Sequence, residues 1–160
     1  MQRFERIYAE HHEAVRAYIR RRAPEAVVDD VVSDTFVVCL RKIDRVPAEP
    51  LPWLYAVARK TLANERRKRS RVAYGHEIAV AEPAPVGDGV LAAAFNGLNE
   101  RDREVLRLVA WDGLPLADAA TVLGCSAVAC RVRYHRAKSR LASKLAAAKS
   151  FTPEPKGVTR

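Results

Sequence analysis

The stretch 98–141, LNERDREVLRLVAWDGLPLADAATVLGCSAVACRVRYHRAKSRL, constrains the fold more than any other part of the chain. Its apolar residues recur at helical spacing in three segments, and the breaks between them fall at Asp112-Gly113 and at Gly124. Glycine readily takes the left-handed backbone conformation that a tight turn between helices needs. The pattern therefore predicts a helix-turn-helix with one further helix packed in front of it.

The starts of these three helices carry their own signals. Asn99, with Asp102 three residues later, is typical of a helix N-terminus because its side chain accepts a hydrogen bond from the first turn. Ser126 is placed to cap the third helix in the same way. Pro115 suits the first turn of the second helix, because that turn has backbone amides without helical partners, and we expect this helix to run to Leu123.

The third helix is expected to have two chemically different faces. A buried stripe is formed by residues spaced at three and four positions: Ala127, Cys130, Tyr134, Ala137 and Leu141. The opposite face carries Val128, Val132, His135 and Arg136, with Arg131 and Arg140 on its flanks. Residues 131–149 include seven Lys or Arg and no Asp or Glu. A solvated helix usually mixes charges of both signs, so this pattern favours a helix that enters a DNA major groove.

The net charge of the chain is concentrated in two places. The 160 residues sum to +9, while residues 59–71 alone sum to +6 and residues 131–149 to +7. Two separate basic patches point to a polyanion that is contacted at two sites. A membrane surface is the competing polyanion, but the sequence has no long apolar run, signal peptide or lipidation motif. We therefore expect a soluble, cytoplasmic protein without membrane insertion.

The first half of the chain predicts three more helices. The first ends near Arg22, the second spans about 26–42, and the third begins near Pro52 and continues into the basic run. Three prolines between 44 and 52 predict a stiff loop. The apolar residues expected to face the core are Phe4, Ile7, Tyr8, His11, Val15, Tyr18 and Ile19 of the first helix and Val28, Val32, Phe36, Cys39 and Leu40 of the second.

The expected fold is all-α, with two small helical domains joined by a flexible linker. The first domain is 1–71 and the second, which contains the helix-turn-helix, is 94–149. Residues 72–93 lack a steady period and contain Pro83, Pro85, Gly87 and Gly89, which is typical of a linker. We expect the linker to let the domains tumble independently, and the tail 150–160 to be disordered.

The cysteines do not suggest a metal site. Cys39, Cys125 and Cys130 are few and odd in number, and we expect free thiols. A site built from Cys125, Cys130 and His135 is rejected, since a five-residue step turns a helical side chain by about 140°. No set of His, Cys, Asp or Glu has the spacing of a metal or acid-base site. We therefore predict no metal, no cofactor and no enzymatic activity.

Taken together, these segments resemble the extracytoplasmic-function (ECF, group 4) sigma factors of bacterial RNA polymerase. The resemblance covers 4–71 and 95–145. In the second half it is carried by 98–106 (LNERDREVL), 123–126 (LGCS) and 131–137 (RVRYHRA), and in the first half by 30–36 (DVVSDTF) and 53–59 (WLYAVAR).

The resemblance implies a role for each half. Asp30, Ser33 and Asp34 would bind the coiled coil of the largest subunit of core RNA polymerase, and the loop 44–51 with Asn64 would hold a flipped base of the promoter minus-ten element. The linker would thread toward the RNA exit path, and an anti-sigma factor is an expected further partner. The implied minus-ten set is Trp53, Arg59, Lys60, Asn64, Arg66 and Arg67; the minus-thirty-five set is Ser126, Val128, Arg131, Val132, His135 and Arg136.

Two other functional classes are weighed against this reading. A stand-alone DNA-binding regulator would use only residues 95–145, and 95–160 alone would then bind an operator as tightly as the full chain. A nucleic-acid enzyme would require a metal or acid-base constellation, which the spacing does not offer. Whether Arg131 and Arg136 form bidentate contacts to guanine or hold phosphates is left open by the sequence.

Overall fold

The computed structural model describes residues 1–73 and 89–150, and every regular element in these ranges is helical. This confirms the predicted all-α class. The first range, here called the N-lobe, contains α1, α2 and α3; the second, the C-lobe, contains α4 to α7. The helices are α1 (Gln2–Arg20), α2 (Glu25–Arg41), α3 (Pro50–Ala73), α4 (Val90–Asn96), α5 (Glu100–Ala110), α6 (Leu116–Leu123) and α7 (Ala127–Ser150), with a short 3-10 turn at Ile43–Arg45.

The core of the N-lobe lies where α1, α2 and α3 pack against one another. Most of the predicted apolar positions are buried there, and α3 adds Leu54, Tyr55 and Leu62. Two predictions were wrong, because Tyr8 is 42% exposed and Leu40 is 45% exposed. Tyr8 lies at the edge of the helix pair, where its ring meets that of Phe36 at 4.8 Å. Apolar side chains therefore continue from the core onto the surface of α1 and α2.

The loop before α3 is held by an arginine from the start of the chain. The Arg3 guanidinium donates to the backbone oxygens of Ile43, at 2.9 Å, and of Val46. Val46 itself is buried. α3 begins at Pro50, slightly before the predicted start near Pro52, because the first helical turn has no use for the amide hydrogens that proline lacks.

The C-lobe has the predicted helix-turn-helix with its predicted caps. Asn99 Oδ1 accepts from the Asp102 backbone amide at 2.9 Å, and Ser126 Oγ accepts from the Ala129 amide at 3.1 Å. Gly124 closes the turn after α6 in the left-handed conformation, with φ 66° and ψ 36°. The sequence reading of this turn is therefore confirmed.

The buried stripe of α7 is shorter than predicted. Cys130 and Ala137 are fully buried, and Tyr134 and Leu141 are half-buried. Ala127 is exposed, which corrects the prediction. It is the first residue of α7 and lies one turn before the first point at which the helix meets the rest of the lobe.

The helix α4 begins inside the segment predicted as a linker and ends beyond it. Of residues 72–93, the first two belong to the end of α3, and Val90–Asn96 forms α4, which buries Phe95. This helix has only seven residues and follows a segment with glycines and prolines, so its sequence shows no clear helical period. Residues 74–88 and the predicted tail 151–160 lie outside the described residues.

The two lobes are in contact, which differs from the expectation of independent tumbling. α3 of the N-lobe packs against α6 of the C-lobe. Charged side chains from the end of α1 also reach residues of α5 and of the turn that follows it. These contacts bring the two predicted DNA-binding surfaces into one compact arrangement.

Candidate nucleic-acid interface

The outward face of α7 is open to solvent. Val128 is 74% exposed and Val132 is 42% exposed, although both are apolar. Arg131, His135 and Arg136 are also exposed on this helix. Exposed valines next to cations match what a base-reading helix presents, since apolar groups contact thymine methyls and arginines contact guanine or phosphate. The structure thus brings together all six residues of the predicted minus-thirty-five set, with Ser126 at the cap.

Arg140, on the flank of this face, is engaged within the lobe. Its Nη1 donates to both carboxylate oxygens of Asp102, at 3.0 and 2.7 Å. Asp102 is buried and is also bound by Asn99. The arginine therefore fixes the start of α5 against α7. The sequence marked Asp102 only as a first-turn acid, so this second function of the residue was missed.

The second half of α3 presents the predicted minus-ten cations in a different setting. Arg59, Lys60, Asn64, Arg66 and Arg67 are exposed. All five line a cleft of about 530 Å³ between the lobes, whose other wall includes residues of α5, α6 and α7. Trp53, two helical turns before them, is half-buried and does not line this cleft. The predicted set is thus only partly brought together.

Arg66 and some neighbouring charged side chains of α3 have partners within the protein. Arg66 Nη2 donates to the backbone oxygen of Arg22 at 2.9 Å. Glu65 pairs with Arg69 at 3.1 Å and with Lys68 at 4.0 Å. A second groove, between α2 and α3, is lined by Asn64 and Arg67 together with Asp34. The surface of α3 therefore carries charges of both signs, and some of its side chains are already bound within the protein.

The predicted polymerase-binding residues lie on the outer side of α2. Asp30, Ser33 and Asp34 are all exposed. Ser33 borders an apolar groove of about 360 Å³ between α1 and α2. The side chains that line this groove include Phe4, Tyr8, His12, Val32, Phe36, Val37 and Leu40. Acidic groups beside an exposed apolar groove form a surface suited to a protein partner.

A buried charged cluster joins the lobes, and it was not predicted from the sequence. Arg22 Nε lies 3.1 and 3.0 Å from the two carboxylate oxygens of Glu104, and its Nη2 lies 2.7 Å from Asp112 Oδ2. Arg21 binds the other oxygen of Asp112, and the Tyr18 hydroxyl donates to Glu104 at 3.2 Å. The Arg22 guanidinium also lies over the Tyr18 ring, 3.7 Å from its centroid.

Burial and the neighbouring charges shift the pKa values in this cluster. Burial raises the pKa of the Tyr18 hydroxyl, so this group stays protonated as a hydrogen-bond donor. Burial alone would lower the pKa of Arg22, but Tyr18, Glu104 and Asp112 together raise it. The pairing thus keeps a deeply buried guanidinium charged.

The described residues contain no group of three or more His, Cys, Asp or Glu side chains placed to hold a metal ion. Cys39, Cys125 and Cys130 are free thiols, as predicted. Burial raises the pKa of Cys39 and of Cys130, which favours the unreactive thiol form. Within the same residues, no helix combines the length and apolar character needed to cross a bilayer.

Two family models match the chain, one on each lobe. Sigma-70 region 2 matches residues 7–72, and Sigma-70, region 4 matches residues 89–141. The first match ends where the described part of α3 ends, and the second begins just before α4. The matches therefore divide the chain at the segment between the two lobes.

Bacterial sigma factors are similar to this chain over most of its length. The ECF RNA polymerase sigma factor EcfG of Rhodopseudomonas palustris (strain TIE-1) is 32% identical over 127 residues, which cover 73% of this chain and 70% of the relative. The ECF RNA polymerase sigma factor SigF of Caulobacter vibrioides is 34% identical over 142 residues, covering 82% of this chain and 79% of the relative.

Solved structures resemble the whole arrangement. CnrH, solved in complex with the cytosolic domain of CnrY, is 30% identical with a TM-score of 0.64, over 92% of this chain and 90% of that one. The sigma factor RpoE from Bartonella quintana, solved in complex with the anti-sigma factor NepR, has a TM-score of 0.70 at 24% identity. That match covers 91% of this chain and 98% of the other, and it supports the fold.

Proposed function

The chain belongs to the ECF RNA polymerase sigma factors and directs promoter recognition for transcription initiation, and we propose that it is a group 4 member that divides this task between its lobes. The C-lobe recognises the minus-thirty-five element, and the N-lobe binds core RNA polymerase and the minus-ten element. In this proposal the domains are 1–71 and 94–149, with 72–93 as the connection between them.

The minus-thirty-five contact is assigned to the outward face of α7. Its supporting observation is the exposed pair Val128 and Val132 beside Arg131 and Arg136. Valines and arginines on one helix face suit a DNA groove, because apolar groups can contact thymine methyls and arginines can contact guanine. His135 completes this face, and Ser126 fixes the angle at which the helix begins.

The minus-ten contact is assigned to the start and the cationic half of α3. Arg59, Lys60, Arg66 and Arg67 supply charge for the phosphates, and Asn64 supplies an amide that can read a base edge. The loop before α3, held by Arg3, offers a preformed receptor for an unstacked base. Trp53, at the start of α3, adds an aromatic surface on which a base can stack.

Core polymerase is assigned to the outer side of α2. Asp30 and Asp34 are one turn apart and exposed, and the apolar groove beside Ser33 offers surface that a helical partner can cover. The charge of this face is opposite to that of the DNA-binding helices. Asp34 also lines a groove with Asn64 and Arg67, so the polymerase contact and the minus-ten contact would adjoin each other at that groove.

An anti-sigma factor is proposed as the partner that keeps this chain inactive. The support is the similarity to CnrH, which was solved with the cytosolic domain of CnrY and matches this chain over 92% of its length. An inhibitor of this kind would act on both lobes at once, since they lie together in the structure. We place the complex in the cytoplasm, where core polymerase transcribes.

The test is transcription in vitro by core polymerase with and without the chain, on a pool of genomic promoter fragments from the same organism. We expect defined start sites that require the chain and that share two elements upstream. The variant Asp30→Lys/Asp34→Lys should lose binding to core polymerase. The matched control is Glu5→Lys/Glu10→Lys, which reverses two exposed charges on α1. Equal binding by both variants would refute the assignment of α2.

A further inference from the structure

The charges at the contact between the lobes are balanced across it. Arg21 and Arg22 come from the N-lobe, while Glu104 and Asp112 come from the C-lobe. The side chains of Arg22 and Asp112 are 3% and 0% exposed. Arg22 binds Glu104 and Asp112 across the lobes, and Arg21 binds Asp112. Within the C-lobe, Glu104 also interacts with the nearby charge of Arg107. The cluster is complete only when the lobes are together.

Ion pairs of this kind allow the two lobes to separate as well as to associate. A buried ion pair gains little over its hydrated partners, because removal of the charges from water opposes their attraction. When the lobes separate, all four groups regain water, and Arg22 keeps its place over the Tyr18 ring within the N-lobe. Removal of one charged partner while the lobes stay together is destabilising, because it leaves the other charge buried and unpaired.

Closure also affects the cationic half of α3. Glu100 and Glu104 of the C-lobe line the same cleft as Arg59, Lys60 and Arg67. The cleft has a volume of about 530 Å³, which lies in the range of small-molecule pockets, about 300–1,000 Å³. A DNA strand of several nucleotides needs a longer open groove. The outward face of α7 is exposed in the same arrangement.

Arg22 connects the cluster directly to α3. Its side chain binds Glu104 and Asp112, and its backbone oxygen accepts from Arg66 Nη2 at 2.9 Å. The same residue therefore binds the C-lobe and holds one of the α3 cations. Separation of the lobes would remove the C-lobe wall of the cleft, which carries Glu100 and Glu104 together with Arg101 and Arg133.

We propose that Arg21, Arg22, Glu104 and Asp112 form an intramolecular latch that holds the free chain closed and restricts access to the cationic half of α3 from the side of the C-lobe. The latch itself rests on the geometry of the two lobes, and its effect on DNA rests on the function proposed above for α3. The chain without a partner is closed, and binding of a partner that needs the lobes apart must first open the latch.

The first experiment measures the radius of gyration of the full chain by small-angle X-ray scattering. A compact chain of this length has a radius of about 15 Å, and separation of the lobes should raise it, because their centres of mass then lie farther apart. We expect a compact wild type and an expanded Glu104→Gln/Asp112→Asn variant. Helical content by circular dichroism verifies that this variant is folded.

The matched control is Asp102→Asn. It removes the charge of another buried carboxylate bound to an arginine, but Asp102 and its partners Asn99 and Arg140 all belong to the C-lobe. The control should keep the radius of the wild type. An expanded wild type, or a double variant that stays as compact as the wild type, would overturn the latch.

The second experiment measures binding of a mixed-sequence single-stranded oligonucleotide to the same full-length proteins. If closure leaves only about a tenth to a fifth of the chains open, the latch variant should bind about five- to tenfold more tightly. Adding Arg66→Ala/Arg67→Ala to the latch variant should remove this gain. Expansion without tighter binding would support the latch but refute the restricted access to α3.

Discussion

The helices α3 and α7 are alike in length and charge but are held in the molecule in different ways. Each has 24 residues. Residues 59–71 of α3 sum to +6, and residues 131–149 of α7 sum to +7. α3 is anchored by large side chains, Leu54, Tyr55 and Leu62, whereas the buried residues of α7 are the small Cys130 and Ala137. The helix α3 is therefore held by large buried side chains, whereas α7 approaches its neighbouring helices closely through small ones.

The cations of the two helices also face different surroundings. Those of α3 line the cleft toward the C-lobe, and Arg66 is bound to a backbone oxygen of α1's C-terminal turn. On α7, Arg131 and Arg136 are exposed on the outer side of the lobe. Equal charge in the sequence therefore does not give equal access to a partner. Four predictions would sharpen this difference or contradict it.

The largest effect is expected for Leu54→Ala on α3. Leu54 is fully buried, and removal of its side chain should leave a cavity and lower the free energy of unfolding by about 2–5 kcal/mol. Urea denaturation of the full chain would measure the loss. The control Leu40→Ala removes a leucine that is 45% exposed, and its cost should be clearly smaller. Equal losses would mean that α3 is not anchored by side-chain volume.

On α7, the informative substitution enlarges a buried side chain instead of truncating it. Ala137 is fully buried where α7 meets the rest of the C-lobe, so Ala137→Leu should overpack the contact and cost about 1–3 kcal/mol. The same denaturation experiment applies. The control Ala142→Leu adds the same atoms at an exposed position of the helix. If both variants kept wild-type stability, the close approach of α7 would be refuted.

Arg136→Ala tests whether exposure on α7 corresponds to reading of DNA. A lost base contact should cost about 1–3 kcal/mol at one promoter position, and a lost phosphate contact should weaken all sequences alike and reduce the salt slope by about 0.9. Binding-site selection with the holoenzyme separates these outcomes. Lys149→Ala, near the far end of α7, is the control. A holoenzyme indifferent to Arg136→Ala would exclude this residue from the interface.

The features that were predicted correctly arise from residues close to one another in the sequence. The caps at Asn99 and Ser126 and the left-handed Gly124 follow from neighbours within three or four residues, and the structure confirms them. The outward face of α7 follows from helical periodicity. These signals are local, so they do not require knowledge of how distant segments meet.

The features that were not predicted depend on contacts between segments that are distant in the sequence. Arg22 and Glu104 are 82 positions apart, and nothing in the run Arg20-Arg21-Arg22 distinguishes a buried arginine from an exposed one. Arg3 reaches a loop 40 residues away in the same manner. The contact between the lobes could not be predicted, because side chains of ordinary surface composition form it.

The smallest effect is expected at the start of α7. Ser126→Ala removes the acceptor for the Ala129 amide and should cost about 1 kcal/mol. Hydrogen exchange should show the loss as faster exchange in the first turn of α7, with little change in α3, whose first turn contains Pro50 and Pro52 instead. The control Ser139→Ala is exposed in the interior of α7. Because Val128 and Arg131 follow directly after the capped turn, fraying should also weaken binding at the minus-thirty-five element. Unchanged exchange would show that packing alone fixes the start of α7.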